Sequence, residues 1–414
     1  MRSKQWNVRV IPNMDLTSDH PYWTVKNGIL ANYPPLQSDV SCDVAILGAG
    51  ITGALVAEAL TADGYDVCMI DARDVGRGST SASTALLQYE IDTHLTDLID
   101  RYGQRSAQLA YRACHESIDL LEEKIRSLKI DCHFSRKESV YLASKESDWP
   151  VLRKEGAARR AMGIHAEEWS GADVAERFGF VRPGALHSTQ AAQVDAYRLT
   201  HGLLCAALSR GARIHDRTRA TSVHTHASGV TLDTNRGPRI NAKKLVVASG
   251  YEVTQMFGMS KIVNLQSSFA LASEPMEEKD FWWHQCLLWE SARPYFYLRS
   301  DSDGRAILGG ADEPFRNPKA RDKILPSKTR TLEQQFREMF PGSPMEIAFT
   351  WAGTFGETED GLAFIGPHKK HPNCLFALGF GGNGITFSMT AAEMIRDALS
   401  GKRNDYADVF AFDR

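Results

Sequence analysis

The sequence predicts an α/β protein of two interleaved domains, one built on a βαβ dinucleotide-binding unit and the other a mixed sheet with helices. Three observations predict this. The chain has 414 residues, more than one ordinary core accommodates. Residues 44 to 71 read as strand, glycine-rich turn, helix and strand, the unit that receives a dinucleotide. Farther along, short strand-like runs and turn residues alternate with helical stretches, as a mixed sheet requires.

Residues 1–37 are polar and hold Pro34 and Pro35; they read as an extended arm anchored by the aromatic rings of Tyr22 and Trp23. Met1 to Asp43 has no apolar run of signal-peptide length, and no window is long enough to cross a bilayer. The expectation is a cytoplasmic chain without a membrane partner. Lys and Arg total 48 against 51 Asp and Glu, and this balance offers no field for nucleic acid. The seven cysteines form no Cys-x-x-Cys pair and are irregularly spaced, so neither a disulfide framework nor a metal site is expected.

Val44 to Leu47 is a short apolar run suited to a buried parallel strand, Ile51 to Ala62 has helical periodicity, and Val67 to Ile70 is a second strand ending at Asp71. Between the first two lies Gly48-Ala49-Gly50-Ile51-Thr52-Gly53. Gly48 permits the tight turn, Gly50 lets backbone approach a pyrophosphate, and Gly53 lets helix and strand pack closely. The helix N-terminus aims N–H groups and positive partial charge at phosphate, and Asp71 can bond ribose hydroxyls.

Gln104 to Leu128 reads as an amphipathic helix, with Leu109, Ile118, Leu121 and Ile125 on one face. Ser139 to Ala143 reads as a strand. Asp195 caps a helix running to Ser209. Ile214 to Val223, Gly229 to Asp233 and Leu245 to Ala248 read as strands, and Tyr295 to Arg299 pairs with Ala306 to Leu308 around Asp303-Gly304. Cys374 to Leu378 is a strand and Thr386 to Leu399 a helix.

Two further stretches are rich in small residues. Gly78 to Gln88 is hydroxyl-rich and follows the βαβ unit; it suits a backbone lying against a flat ring, with hydroxyls for phosphate. Gly379-Phe380-Gly381-Gly382-Asn383-Gly384-Ile385 also fits G-x-G-x-x-G, but no second βα repeat or strand-end acid follows it. It opens the last helix instead.

With these motifs, together with Gln193 to Leu199, Leu245 to Gly250 and Trp351-Ala352-Gly353, the chain resembles the D-amino-acid-oxidase-type FAD-dependent oxidoreductases. That group includes glycine oxidase, sarcosine oxidase and γ-glutamylputrescine oxidase; Tyr22-Trp23 followed by Pro34-Pro35-Leu36 is most similar to the last. The implied fold is a Rossmann-like FAD-binding domain of the glutathione-reductase type plus a mixed-sheet α+β substrate domain. The expected FAD domain is built from 38–105, 185–258 and 345–414, and the substrate domain from 106–184 and 259–344.

The resemblance implies the following contacts. Gly48, Ala49, Gly50, Ile51 and Thr52 hold the pyrophosphate, with Gly250 near it, and Gly53 serves packing. Asp71, Ala72 and Arg73 hold the adenosine ribose, and Ala220 meets adenine. Gly78, Ser79 and Thr80 lie at the phosphates, and Ala85, Leu86 and Leu87 along the flavin ring. Gly353, Gly381, Gly382, Asn383, Gly384, Ile385 and Thr386 lie about the flavin, the last four at its pyrimidine end. There a helix N-terminus favours the negative charge of the reduced ring.

Departures from the family pattern define the substrate end. Ala82 stands where covalent-flavin branches carry histidine, and no cysteine lies near Trp351, so non-covalent FAD is expected. Phe355 stands where glycine oxidase carries a carboxylate-gripping arginine. Ile307 stands near the lysine used by sarcosine oxidase with oxygen, leaving the acceptor open between oxygen and another oxidant. Substrate-side candidates are Gln88, Tyr295, Tyr297, Arg299, Trp351 and Phe355. Tyr297 and Arg299 alternate along a strand and share a face, which either lines the ring or meets solvent. The implied reaction is oxidation of a C–N bond in a small amine or amino-acid-like substrate by hydride transfer to flavin N5. Two other readings stay open, a non-catalytic FAD-binding subunit of a complex and a flavin-dependent tRNA-modification module.

Overall fold

The computed structural model describes residues 14–18, 20–252, 256–259 and 261–414. In chain order its elements are α1 (Tyr22–Asn27), β1 (Val40–Leu47), α2 (Ile51–Ala62), β2 (Val67–Ile70), α3 (Ser79–Ala82), β3 (Leu86–Gln88), α4 (Leu95–Leu128), β4 (Ser135–Leu142), α5 (Trp149–Ala161), β5 (Glu167–Ser170), α6 (Gly171–Phe178) and β6 (Gly184–Gln193). There follow α7 (Ala196–Ser209), β7 (Arg213–His215), β8 (Ala220–His226), β9 (Gly229–Thr234), β10 (Arg239–Val247), β11 (Asn264–Ser273), β12 (Leu287–Glu290), β13 (Phe296–Ser300), β14 (Ala306–Pro314), α8 (Pro318–Met339), β15 (Ile347–Glu357), β16 (Phe364–His368), β17 (His371–Leu378) and α9 (Gly384–Leu399).

These form two sheets. The first has strand order β16-β17-β10-β1-β2-β7, with β9 pairing β10 and β8 pairing β9. The strands from β17 to β7 are mutually parallel, as apolar runs buried on both faces require. α2 is buried along nearly its whole length and packs against α7 and α9. The carboxyl ends of β1, β2, β10 and β17 lead into Gly48, Asp71, Ala248 to Gly250 and Gly379 respectively. These four expected segments therefore leave the same edge, where ligands settle on an open parallel sheet.

The second sheet runs β15-β11-β14-β13-β12-β4-β6-β3, with β5 on β6. α6 and α8 pack against it over an apolar core containing Phe269, Phe296, Phe336 and Leu298. β3, β6 and β15 fall within ranges expected for the FAD domain, yet they are strands of this second sheet. Residues of both sheets therefore face the space between them.

Several local expectations are revised. α4 is two helical segments parted at Gly103 (φ 78°, ψ 161°); the second, from Gln104 to Leu128, is the helix that the amphipathic pattern indicates, and the first is a turn or two that the pattern does not show. The strand expected over Ile214 to Val223 is two strands, parted by Arg217 at φ 46°. β11, α8 and β15 were not resolved by periodicity. The arm is only partly extended, since it contains α1; its first thirteen residues lie outside the described residues. Leu16 to Ser18 runs along β15: Thr17 bridges Gly353, and Ser18 N–H donates to Ala352 O at 3.0 Å. Buried Arg321 holds this strap by donating to Asp15 O and Thr17 O at 2.9 and 2.8 Å. As expected, Tyr22 and Trp23 are buried anchors; Tyr22 donates to Asp301 and Trp23 to Ser83 O.

Candidate active site

The two sheets enclose one long cavity of about 380 Å³. At one end stand Asp71, Ala72, Arg73, Arg219 and Ala220; at the other, Trp289, Tyr295, Tyr297 and Phe355. Between them lie the glycine-rich turn, the α3 loop and the turn before α9.

The nucleotide half is built on backbone. Ala49 N–H donates to Asp71 Oδ2 at 2.7 Å, and Arg73 N–H to Oδ1 at 2.8 Å. The carboxylate thus ties the turn to the end of β2 and keeps a lone pair on each oxygen for a ribose. Burial raises its pKa, against the pull of those two N–H donors. Gly50 caps α2 in an extended conformation, and Ile51 N–H donates to Thr80 Oγ1 at 3.0 Å. A Cβ on Gly50 would stand 3.0 Å from that hydroxyl, inside the lane where a pyrophosphate must pass. Arg73 pairs with Glu252 at 2.6 Å and donates to Met14 O, closing the adenosine end beneath the N-terminal strap. Ser249 Oγ is buried on this wall and has no hydrogen-bond partner among the described residues.

In the middle, α3 and β3 form the floor. Trp351 and Trp23 donate indole N–H to Ala82 O and Ser83 O, at 2.9 and 2.7 Å. A Cβ on Gly353 would meet Ala82 Cβ at 3.0 Å. Asn383 at the start of α9 donates to Glu90 O and Gln88 O, so α9 is locked to the strand that would carry the ring. Its first-turn N–H groups, which a helix leaves without internal partners, face the same space through Gly384 and Ile385. A glycine lane, aimed helix N-termini, a strand-end acid and an orphaned serine hydroxyl together fit FAD.

Most sequence-predicted residues converge here. Gly48, Gly50, Ile51, Thr52, Gly78, Ser79, Thr80, Ala85, Leu86, Gly250 and Gly381 to Ile385 line the cavity. Gln88, Tyr297, Trp351 and Phe355 line it too. Gly53 lies behind it as a packing residue, with its missing Cβ 1.9 Å from Gly48 O. Ala49, Leu87 and Thr386 are buried just off the wall. Arg299 is the correction. It does not line the cavity among the described residues; its guanidinium donates to Ala85 O and Val194 O, at 2.8 and 3.0 Å, and to Ser300 O. Desolvation pulls its pKa down to about 10. It props the floor strand from behind, so it does not take over the role of the lost carboxylate-binding arginine. Ile307 is likewise core, packed with Tyr22, Trp23 and Trp351.

Sequence reasoning missed the acids. Glu90, Asp92, Asp312 and Glu357 all line the cavity. Glu90 is answered by buried Arg159, 3.6 Å away. Asp92 accepts from Gly382 N–H, and Glu357 from Gln266. Glu90 Oε2 and Asp312 Oδ1 are both enclosed without a hydrogen-bond partner among the described residues, but Asp312, unlike Glu90, has no cation within ion-pair distance among those residues. A glycine pair, Gly309-Gly310, next to an alternating strand is the signal that could have pointed to it.

The FAD-dependent oxidoreductase (DAO) family model matches residues 43–398. The chain belongs to this family. Among relatives, a Bacillus subtilis protein named for a Rieske 2Fe-2S iron–sulfur function is 26% identical, over 94% of this chain and 74% of its own. The γ-glutamylputrescine oxidoreductase of Escherichia coli is 22% identical, over 94% of this chain and 91% of its own. The glycine oxidase structure from Geobacillus kaustophilus superposes with a TM-score of 0.74 at 22% identity, covering 90% of this chain and 98% of that one. The expected family and fold are thereby borne out.

Gly50→Val should yield a folded protein that purifies without FAD, because a branched side chain fills the pyrophosphate lane. The flavin absorbance-to-protein ratio and the far-UV circular dichroism check this. A folded variant with full flavin content would contradict the placement.

Proposed function

We propose that the chain oxidises the C–N bond of a small amine, held between the flavin ring and an aromatic wall of Trp289, Tyr295, Tyr297 and Phe355. Bound FAD supplies a two-electron acceptor for the hydrogen on the carbon next to nitrogen, and the substrate leaves as an imine that water hydrolyses. The protein's part is to position that carbon and exclude water.

One observation carries this reading. Among the described residues, the guanidiniums lining the cavity are Arg73 and Arg219, both at the nucleotide end, while the far end is lined by aromatics and acids, with Arg293 stacked on Tyr295 outside the lining. A carboxylate entering an apolar pocket loses its hydration and needs a charged, bidentate partner. Phe355 offers no donor, whereas an aromatic face accepts a cationic or apolar group. Tyr297 has its phenol pushed up to about 12, by burial first and by nearby Asp312 second. It therefore stays protonated at neutral pH and serves as a neutral donor that orients substrate.

Anaerobic mixing with glycine, D-alanine, sarcosine and a set of primary amines tests the class. Losing a charged carboxylate partner costs about 2–5 kcal/mol, so flavin bleaching by the amines should be at least ~30-fold more efficient than by the amino acids. Fast reduction by glycine or D-alanine would sink the reading.

The FAD is further proposed to be non-covalent, supported by Ala82 and by the absence of cysteine near Trp351. Acid precipitation should leave the yellow colour in the supernatant; a yellow pellet would contradict this.

A further inference from the structure

The strand segment Gly309-Gly310-Ala311-Asp312 is locally unusual. β11 and β14 lose register between Ser267 and Phe269, opposite Glu313 and Gly310. A Cβ on Gly309 would lie 2.4 Å from the Tyr297 ring, and one on Gly310 would lie 1.9 Å from Tyr295 O. Ala311, which is not glycine, sits at φ 54°, a conformation that costs energy and clusters at functional sites. Bulges of this kind re-aim a side chain. Here the outcome is Asp312 on the cavity wall, beside Tyr295, Tyr297 and Ser268. Two buried polar atoms on that wall lack hydrogen-bond partners among the described residues, Asp312 Oδ1 and Tyr295 Oη. An enclosed carboxylate oxygen left unpaired is costly; a hydrogen bond with Ser268 and the charge of Arg293 offset that only in part. The charged groups facing Asp312 are Asp92 from the loop after β3, Glu357 from β15 and Arg293 from the loop before β13. Two of the three are acids. Arg293 lies flat on Tyr295, 3.2 Å from the ring centroid, and is exposed at the mouth.

We propose that Asp312 is the counter-ion for a second cationic group on the substrate, so that the substrate is a diamine or an amine bearing another cation. Within the amine-oxidation reading on which this rests, one nitrogen lies at the flavin and the other is received by Asp312 Oδ1 and Tyr295 Oη. The aromatic wall of Trp289, Tyr297 and Phe355 covers the alkyl link. In the absence of ligand, burial holds the Asp312 carboxyl up at about 6, with Glu357 and Asp92 adding to the rise and Arg293 and Ser268 opposing it. Cation binding requires the ionised form. Affinity should therefore grow as pH rises from about 5 to 7, a window in which an alkylammonium stays fully charged.

The test uses the FAD-loaded full chain and three ligand sets of matched length: 1,3- to 1,5-diamines, the corresponding monoamines, and ω-amino acids with a carboxylate in place of the second amine. Binding is measured by anaerobic calorimetry on protein first reduced with dithionite, where no amine can be oxidised; flavin bleaching is measured separately on the oxidised protein. The best diamine should bind at least ~10-fold more tightly than its monoamine and ω-amino acid. Asp312→Asn, which keeps the shape, should erase that preference and its pH dependence. Tyr295→Phe should weaken diamine binding by a smaller factor. Equal binding of diamine and monoamine by the parent protein, preference for the ω-amino acid, or an unchanged preference in Asp312→Asn would each overturn the assignment. Selective diamine binding with no bleaching by any amine would leave the cation site standing and refute amine oxidation.

Discussion

A Cβ at Gly53 would stand 1.9 Å from the carbonyl oxygen of Gly48, and one at Gly48 would stand 2.5 Å from that of Ala248. Helix α2 can close onto the end of β1, and β10 beside it, only because neither residue has a side chain. This double approach aims the α2 N-terminus along the carboxyl edge of the parallel sheet, and Asp71 secures it by accepting Ala49 N–H. Everything else in the cofactor site is arranged around that edge. Gly250 and Gly379 turn at positive φ as β10 and β17 leave the sheet, so no side chain from those strands blocks the groove. The parallel sheet thus leaves an open groove along its carboxyl edge, where an extended dinucleotide would lie.

The second sheet converts this groove into a closed site by presenting strands edge-on to it. β3 supplies the floor, and it is held from below by Arg299 and from the side by Asn383. β15 contributes from the opposite wall, and the strap at Leu16 to Ser18 extends it. Arg321, wholly enclosed, spends its donors on backbone carbonyls of the strap and on Thr354. A buried guanidinium tolerates this position because Asp322 Oδ1 accepts from its Nε at 2.8 Å and each terminal nitrogen has an oxygen partner. Two intramolecular arginines thus brace backbone near the cofactor, and neither is available to bind substrate.

Legibility in the sequence followed the range of the interaction. The βαβ unit, the Asp195 cap and the hairpin at Asp303-Gly304 are local patterns, and the structure contains each of them. Glycine spacing around Gly48 located the cofactor groove because a steric requirement there leaves a chemical signature within a few residues. Arg299 was misjudged for a long-range reason. Alternation puts it on one strand face with Tyr297, lining the ring or meeting solvent, but the fold buries it and brings Ala85 O and Val194 O within reach of its guanidinium. Asp312 was invisible because its importance comes from a bulge opposite β11 and from the lack of a partner, neither of which a lone Asp in a strand-like run reveals. Sheet membership of β3, β6 and β15 escaped motif reasoning in the same way: order along the chain does not report which sheet a strand joins.

The most direct measurement is an electron-density map of the FAD-loaded protein. The account predicts an extended cofactor, with adenine against Ala220, ribose at Asp71 and pyrophosphate over Gly50. The isoalloxazine should rest on Ala85 and Leu86, with its pyrimidine edge at the α9 N-terminus and its free face toward Tyr297 and Asp312. A ring bound at the Asp71 end, or one whose face toward Tyr297 is covered by protein, would contradict it.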